Sequence, residues 1–386
     1  MLLFKNISLY SPKFLGTMDI LTCYDKIAYI STHISLGSFP KINVIDGKNL
    51  IMCPGFIDLH IHFAGGGGEG GFNTRTPDLM LTDLTGAGIT TGIGLLGTDG
   101  TTRSMGNLIA KARALEVEGI STYVWTGCYQ VPTRTITDSP RGDIILVDKI
   151  IGIGEIAISD HRSSHPSIKD LAMLASEARI GGMISGKAGV LHLHTGDEIE
   201  GLDPVLTLNK EYKIPLENIL PTHINRNHTL FNQAIDYAKT GGNLDITTGI
   251  KPETSNSIEF DPGKAFKILL ENNVSPFNIT MSSDAGGSMP IFDKDGKLLK
   301  LSVGSPMSNL EALKSSISNG IAFETAIIPF TLSPSKILKL KGKGEIKEGH
   351  DADLLIFDNS FNLKSVVAKG KIMVENYKPI VFGTFQ

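Results

Sequence analysis

The sequence predicts an α/β protein, a (β/α)8 TIM-like barrel combined with a small β-sandwich domain that the two ends of the chain build together. Three observations predict it. First, the middle of the chain repeats a unit of short apolar strand, polar or glycine-rich loop and amphipathic helix, and eight such strands can be counted. Second, both ends instead alternate apolar and polar side chains in short runs separated by turn residues. Third, 386 residues exceed the roughly 250 that a barrel needs, leaving enough chain for a second unit. The predicted division is 1–53 plus 345–386 for the β domain and 54–344 for the barrel.

In chain order, LLFKNISLY, KIAYIS and KINVIDG read as strands of a small antiparallel unit. The barrel opens through Pro54-Gly55 into PGFIDLHIH. Strand side chains alternate faces with period two, so Asp58, His60 and His62 point the same way. In a closed parallel barrel that way is inward, with His62 nearest the C-terminal mouth. Seven more strands follow: ITTGIGLLGT (89–98), STYVWTGCY (121–129), KIIGIGEIAIS (149–159), AGVLHLHTG (188–196), ENILPTHIN (217–225), NLDITTG (243–249) and NITMSSDAGG (278–287). Helical periodicity lies between them, as in SMGNLIAKARALEVEG and PSIKDLAMLASEAR. The closing GEIKEGHDADLLIFD and LKSVVAKGKIMVEN return to the texture of the first 53 residues.

Composition narrows the function classes. A net charge of -4 with mixed signs offers no basic footprint for nucleic acid. Cys23, Cys53 and Cys128 are scattered and odd in number, without a CxxC pair, which fits a reducing compartment and no disulfide framework. MLLFKNISLYSPKF places charge and polar residues too early for a signal peptide, and nowhere do about 18 apolar residues run together. A soluble cytoplasmic protein without a membrane partner is expected.

Barrels carry their reactive groups at the C-terminal ends of the strands. Those ends hold His60 and His62 on the first strand, Glu155 on the fourth, His192 and His194 on the fifth, His223 on the sixth and Asp284 on the eighth. His194 lies nearer the mouth, and His192 reads as a satisfied core histidine. Buried charge is costly unless paired or metal-bound, so Glu155 needs a partner; an ion pair with Arg162 or Lys149 is one candidate. The other is metal. Four histidines and two carboxylates converging on one mouth can bind two divalent ions, with Glu155 spanning both. Nitrogen and oxygen ligands with open positions suit zinc, and also cobalt or manganese.

This constellation, with PGFIDLHIH at one end and KGKGEIKEGHDADLLIFD at the other, resembles the amidohydrolase superfamily. The stretches GGGGEGGFNTRTPDL, GLLGTD, TGCYQVPTRTIT, AISDHRSSHP, LPTHINRN and SSDAGGSMPIFD, in that order, are similar to those of isoaspartyl (β-aspartyl) dipeptidases. The resemblance implies that His60, His62 and Asp284 hold a more buried ion, and His194 and His223 a more exposed one. The family's bridging carboxylated lysine falls on Glu155, a departure. Glutamate offers the same single negative charge on a stem shorter by roughly 3–4 Å, and Gly152 and Gly154 can let the strand bulge inward to make up the reach.

The implied activity is hydrolysis of the β-aspartyl bond of isoaspartyl dipeptides. Two ions acidify a shared water, and the resulting bridging hydroxide attacks the amide carbonyl. Asp284 takes the water's proton as general base and returns it to the leaving amine. Tyr129 donates to the developing oxyanion. Glu69 pairs with the substrate ammonium, Arg162 and Arg226 grip its carboxylates, and Thr98 and Ser288 add further contacts. The resemblance also implies a homo-octamer. Two loops, 130–143 and 289–306, the latter with KDGK as a hairpin turn, are expected to close over the dipeptide. The competing readings are another amide hydrolase of the superfamily, dihydroorotase-like or acting on N-acyl amino acids, and a barrel that has lost its metals.

Overall fold

The computed structural model describes residues 1–35, 37, 42–250, 261–292 and 298–386. The chain opens with β1 (Leu2–Tyr10), β2 (Phe14–Cys23), β3 (Lys26–Ser31), β4 (Asn43–Asp46) and β5 (Ile51–Pro54). The predicted first barrel strand is therefore divided at Gly55. A Cβ there would sit 2.1 Å from Thr90 Oγ1, so only glycine lets the chain pass from one sheet to the other at this point.

Eight strands follow at the eight predicted places: β6 (Phe56–Ile61), β7 (Ile89–Gly94), β8 (Ser121–Thr126), β9 (Ile150–Ile158), β10 (Val190–Thr195), β11 (Ile219–Thr222), β12 (Leu244–Thr247) and β13 (Ile279–Ser282). The helices between them are α1 (Leu81–Gly86), α2 (Met105–Glu118), α3 (Pro140–Leu146), α4 (Ile168–Ser185), α5 (Asp203–Tyr212), α6 (His228–Lys239) and α7 (Pro262–Glu271). Their ends carry local signals. Ser104 caps α2 by accepting from Asn107 N–H and Gly119 ends it, while Ser167 and Asp170 form a capping box on α4 that Gly186 closes in a left-handed conformation. A hairpin, β14 (Ser288–Phe292) and β15 (Leu298–Val303), leads to α8 (Ser308–Ser318). The expected KDGK turn lies outside the described residues. Last come β16 (Leu354–Phe357), β17 (Leu363–Ala368), β18 (Lys371–Glu375) and β19 (Lys378–Pro379).

Strands β6 to β11 form a parallel, curled sheet in sequential order, and β12 and β13 form a parallel pair. The pair is hydrogen-bonded to both flanks of the larger sheet. Asp284 N–H donates to His60 O at 3.1 Å and His62 N–H to Ala285 O at 2.8 Å, while Ile224 N–H reaches Asp245 O at 3.4 Å. Helices cover the parallel strands, which is why nearly every strand residue is buried and the strands read as continuous apolar runs. Leu338 and Leu340 pack with Ile57, Leu59, Ile93, Trp125 and Leu220 in one apolar cluster.

Both ends of the chain enter one nine-stranded sheet, ordered β19-β18-β17-β16-β5-β1-β2-β3 with β4 paired to β1. The ends meet where β5 runs antiparallel to β16, Pro54 opposite Leu354. The expectation of a wholly antiparallel unit is corrected: β1 runs parallel to β4 and to β5. Alternation with period two is the same for either direction, so the pattern could not distinguish them. A second apolar cluster of Ile7, Leu9, Ile20, Met52, Leu354, Ile356 and Val367 belongs to this sheet.

Candidate active site

The curl of the parallel sheet brings the C-terminal ends of β6, β9, β10, β11 and β13 together, and Glu155 lies at the point of convergence. Its Oε2 is 3.1 Å from His194 Nδ1, 3.6 Å from His60 Nε2 and 3.8 Å from His223 Nε2; its Oε1 is 3.7 Å from His62 Nε2. Asp284 Oδ1 lies opposite, 3.5 Å from His60 Nε2 and 3.1 Å from His62 Nε2. Neither cation considered as a salt-bridge partner for Glu155 takes that role: Lys149 pairs with Glu116 at 2.5 Å, and Arg162 pairs with Asp160.

Glu155 reaches this position through a bulge. Along β9 three residue steps, Ile153 to Ile156, oppose two on β10, Leu191 to Leu193. Gly154 makes the bulge sterically possible, since a Cβ there would meet His192 Cβ at 2.7 Å. His223 and Asp284, just beyond their strands, both have left-handed backbone, φ 62° and 54°, which is costly for residues with a Cβ. Hydrogen bonds hold them there: Asp284 N–H donates to His60 O, and Arg226 N–H donates to His223 O at 3.0 Å.

Each of three imidazoles has its outer nitrogen occupied and its inner nitrogen turned toward the carboxylates. His192 Nδ1–H donates to Leu220 O at 3.0 Å, so its Nε2 accepts from His60 Nδ1–H at 2.8 Å and leaves His60 Nε2 facing inward. His192 stacks on Trp125, and burial, then the neighbouring His60, push its pKa down to about 3, so it stays neutral. His223 Nδ1 is engaged by Thr247 Oγ1 at 2.6 Å, and His194 Nε2 by Asp160 Oδ2 at 3.0 Å. Gly97 leaves room beside His62, where a Cβ would sit 2.9 Å from His62 Cε1.

These donors fit divalent metal. His60 Nε2 is buried without a hydrogen-bond partner, and three sets of donor atoms lie within 4.8 Å of one another: His60, His62 and Glu155; His60, His223 and Asp284; Glu155, His194 and His223. Burial works against a charged His60, yet Glu155 and Asp284 push its pKa up to about 9. The cluster thus draws positive charge into itself, a demand that a cation held by nitrogen and carboxylate oxygen also meets. Burial by itself would raise both carboxyls, but the imidazoles, His60 first for each, hold Glu155 and Asp284 below the usual carboxylate range.

Above the cluster opens a cavity of about 720 Å³, lined by His62, Glu69, Thr98, Tyr129, Glu155, Arg162, His194, His223, Arg226, Asp284 and Ser288. Every predicted site residue except His60, which lies beneath, faces it. Tyr129 OH is 2.7 Å from His194 Nδ1; burial, then the charge of Glu155, raise its pKa well above the usual phenol value, so it remains an O–H donor. Thr98 Oγ1–H donates to Glu69 Oε1 at 2.9 Å, and Arg162 Nη1 lies 3.6 Å from the same oxygen. Ser288 sits across from the glycine run, its Cβ 3.4 Å from where a Cβ on Gly67 would be. Of the two expected covering loops, the hairpin side contributes Met289, Leu301, Ser302 and Val303 to the wall, whereas among the described residues 130–143 contributes none. Asp143 ties that loop down, accepting from Thr137 N–H at 2.7 Å and Ile136 N–H at 3.1 Å.

Sequence reasoning passed over several residues that shape the site. Asp160 stood in the quoted SDHR run without a role. Thr247 ends an apolar strand with no other mark. Arg103 is buried and donates to the carbonyls of Ala64, Gly66 and Thr76, the last two at 2.9 and 3.1 Å, holding the glycine run that carries Glu69.

A model described as Amidohydrolase family matches residues 252–373. Among solved structures, the chain matches a β-aspartyl dipeptidase from Fervidobacterium islandicum AW-1, in complex with β-Asp-Leu dipeptide, at 39% identity and a TM-score of 0.92, covering 98% of this chain and 97% of that one. A second structure from that organism gives 38% and 0.89, covering 98% of each chain. A dihydropyrimidinase from Brevibacillus agri NCHU1002 shares the fold at a TM-score of 0.69 and 15% identity, over 99% of this chain and 96% of that one. An adenine deaminase of Clostridium perfringens is 22% identical across 98% of this chain, which spans 59% of the deaminase's length.

Proposed function

Because the chain belongs to the β-aspartyl dipeptidases of the amidohydrolase superfamily, we propose that it is a metal-dependent hydrolase cleaving the β-aspartyl bond of isoaspartyl dipeptides. The observation that carries this reading is one cavity lined both by the imidazole–carboxylate cluster and by Glu69, Arg162 and Arg226, charges complementary to those of the substrate. The eight parallel strands of 54–344 are read as a (β/α)8 barrel, and 1–53 with 345–386 as its small β-sandwich domain.

His60, His62 and Asp284 would hold one divalent ion and His194 and His223 a second, with Glu155 shared; zinc suits this donor set. When bound, such ions polarise the scissile carbonyl and lower the pKa of water. The remaining chemistry belongs to the chain's own side chains. Asp284 faces the cavity and takes a proton from the attacking water, then gives it to the leaving amine. Tyr129, neutral and buried, donates its O–H to the oxygen on which negative charge develops. Glu69 meets the substrate's α-ammonium, and Arg162 and Arg226 meet its carboxylates with planar forks. Thr98 holds Glu69 in place, and Ser288 offers a hydroxyl from across the glycine run. Family resemblance supports a homo-octamer.

The test is hydrolysis of β-aspartyl-leucine against α-aspartyl-leucine, with metal content measured on the same sample. Cleavage of the β-linked isomer alone is expected. A metal-replete preparation that leaves β-aspartyl-leucine intact would overturn the reading and favour another amide hydrolase of the superfamily.

A further inference from the structure

The geometry points to Asp160 as a positioning residue that ties a metal-cluster histidine and both substrate arginines into one unit; the inference rests on the proposed isoaspartyl dipeptidase reading. Asp160 follows the end of β9, is 2% exposed and does not line the cavity. Its Oδ1 accepts from the Arg162 backbone N–H at 2.8 Å and from Arg162 Nε at 2.9 Å. Its Oδ2 accepts from Arg162 Nη2 at 2.7 Å and from His194 Nε2 at 3.0 Å, with Arg226 Nη1 at 3.7 Å. The chain is shaped to admit it. A Cβ on Gly196, at the end of the neighbouring strand, would meet Asp160 Cβ at 2.4 Å, so that position has to be glycine.

Two consequences follow from one carboxylate. His194 stands between two carboxylates that only accept hydrogen bonds, Asp160 Oδ2 at Nε2 and Glu155 Oε2 at Nδ1; with a cation held on the Glu155 side, the single proton of the ring resides on Nε2, which donates to Asp160. Its Nδ1 lone pair is then left free on the side of Glu155 Oε2, 3.1 Å away, for the metal that Glu155 would share. Carboxylates behind ligating imidazoles set tautomer and ring orientation in this way. The second consequence concerns Arg162. Two bonds from one side fix its guanidinium plane and leave Nη1 directed toward Glu69 and the cavity. Without Asp160, Arg162 Nη2 and Arg226 Nη1 would stand 3.3 and 3.5 Å from a protonated His194 Nε2 with no negative charge between them. The histidine would turn and the two forks would separate.

The test compares the wild-type chain with Asp160→Asn, Asp160→Ala and Asp160→Glu, each checked for folding by circular dichroism and thermal melting. Zinc affinity is measured by titration against a chromophoric chelator. Asp160→Asn is expected to weaken the weaker zinc site by about 10–100-fold. At saturating zinc it should raise KM for β-aspartyl-leucine by about tenfold, the effect of losing a charge-assisted contact, with kcat much less changed. Asp160→Glu, which keeps the charge, should recover part of the zinc affinity. A merely structural role would lower the melting point and move neither quantity. Folded Asp160→Asn with wild-type zinc affinity and wild-type KM overturns the inference; if Asp160→Asn does not fold, a folded Asp160→Ala with both quantities unchanged does the same. Should the wild type bind zinc yet cleave no β-aspartyl dipeptide, the substrate reading fails, while a zinc-affinity loss in Asp160→Asn still upholds the tether to His194.

Discussion

Replacing Glu155 by glutamine removes one negative charge and turns one of two acceptor oxygens into an N–H donor, at the point on which four imidazoles converge. Whichever way the amide settles, its NH2 faces ring nitrogens: those of His60, His194 and His223 at 3.6, 3.1 and 3.8 Å from Oε2, or that of His62 at 3.7 Å from Oε1. A cation between them loses a ligand and a unit of countercharge together. Two unit charges about 4 Å apart interact by about 4 kcal/mol at an effective dielectric near 20, and each 1.4 kcal/mol is about tenfold in affinity. Metal affinity should therefore fall on the order of 10²–10³-fold. The assay is metal content after dialysis against a weak chelator, with kcat/KM for β-aspartyl-leucine on the same samples. Activity of the wild type should be indifferent to added bicarbonate, because a glutamate needs no carboxylation. An active Glu155→Gln or Glu155→Ala protein that keeps both ions would refute the reasoning.

Tyr129→Phe should lower kcat by about 10²–10³-fold, the usual cost of one oxyanion donor, with KM and metal content little altered; a kcat within about threefold of wild type would remove Tyr129 from that role. Gly154→Ala places a Cβ 2.7 Å from His192 Cβ and 3.0 Å from His192 O, an overpacking expected to cost about 1–3 kcal/mol, read as a shift in the urea midpoint; an unshifted midpoint would contradict the bulge geometry. Asp99 bears on pH. Burial would raise its carboxyl, but hydrogen bonds from Thr102, then Thr101 and Arg75, hold it down to about 2 against a reference of 3.8. The depressed value means that its stabilising contribution is complete above pH 3.8 and is lost as pH falls through about 2. In chelator-stripped protein, the stability gap between wild type and Asp99→Asn should therefore be larger at pH 6 than at pH 2; a gap of constant size at both would argue against it.

The sequence by itself determined the strand positions and the facing of the metal-type ligands. Strand and helix periods are local, so the eight parallel strands appear where the apolar runs stand, and the serine and glycine ends of α2 and α4 mark where those helices stop. Parity alone put His60 and His62 on one face. Gly154 beside Glu155 pointed to the bulge that the β9–β10 register contains. Tertiary structure decided everything that depends on which segments become neighbours. Strand direction in the terminal sheet is one case, since a period of two does not encode it. The attachment of 130–143 away from the cavity is another, made by Asp143 from the start of α3. The partners that orient the imidazoles are the clearest: His192 for His60 across 132 positions, Thr247 for His223 across 24, Asp160 for His194 across 34. A hydrogen bond selects its tautomer and angle only when both groups are present in space, and no pattern within a single strand carries that information.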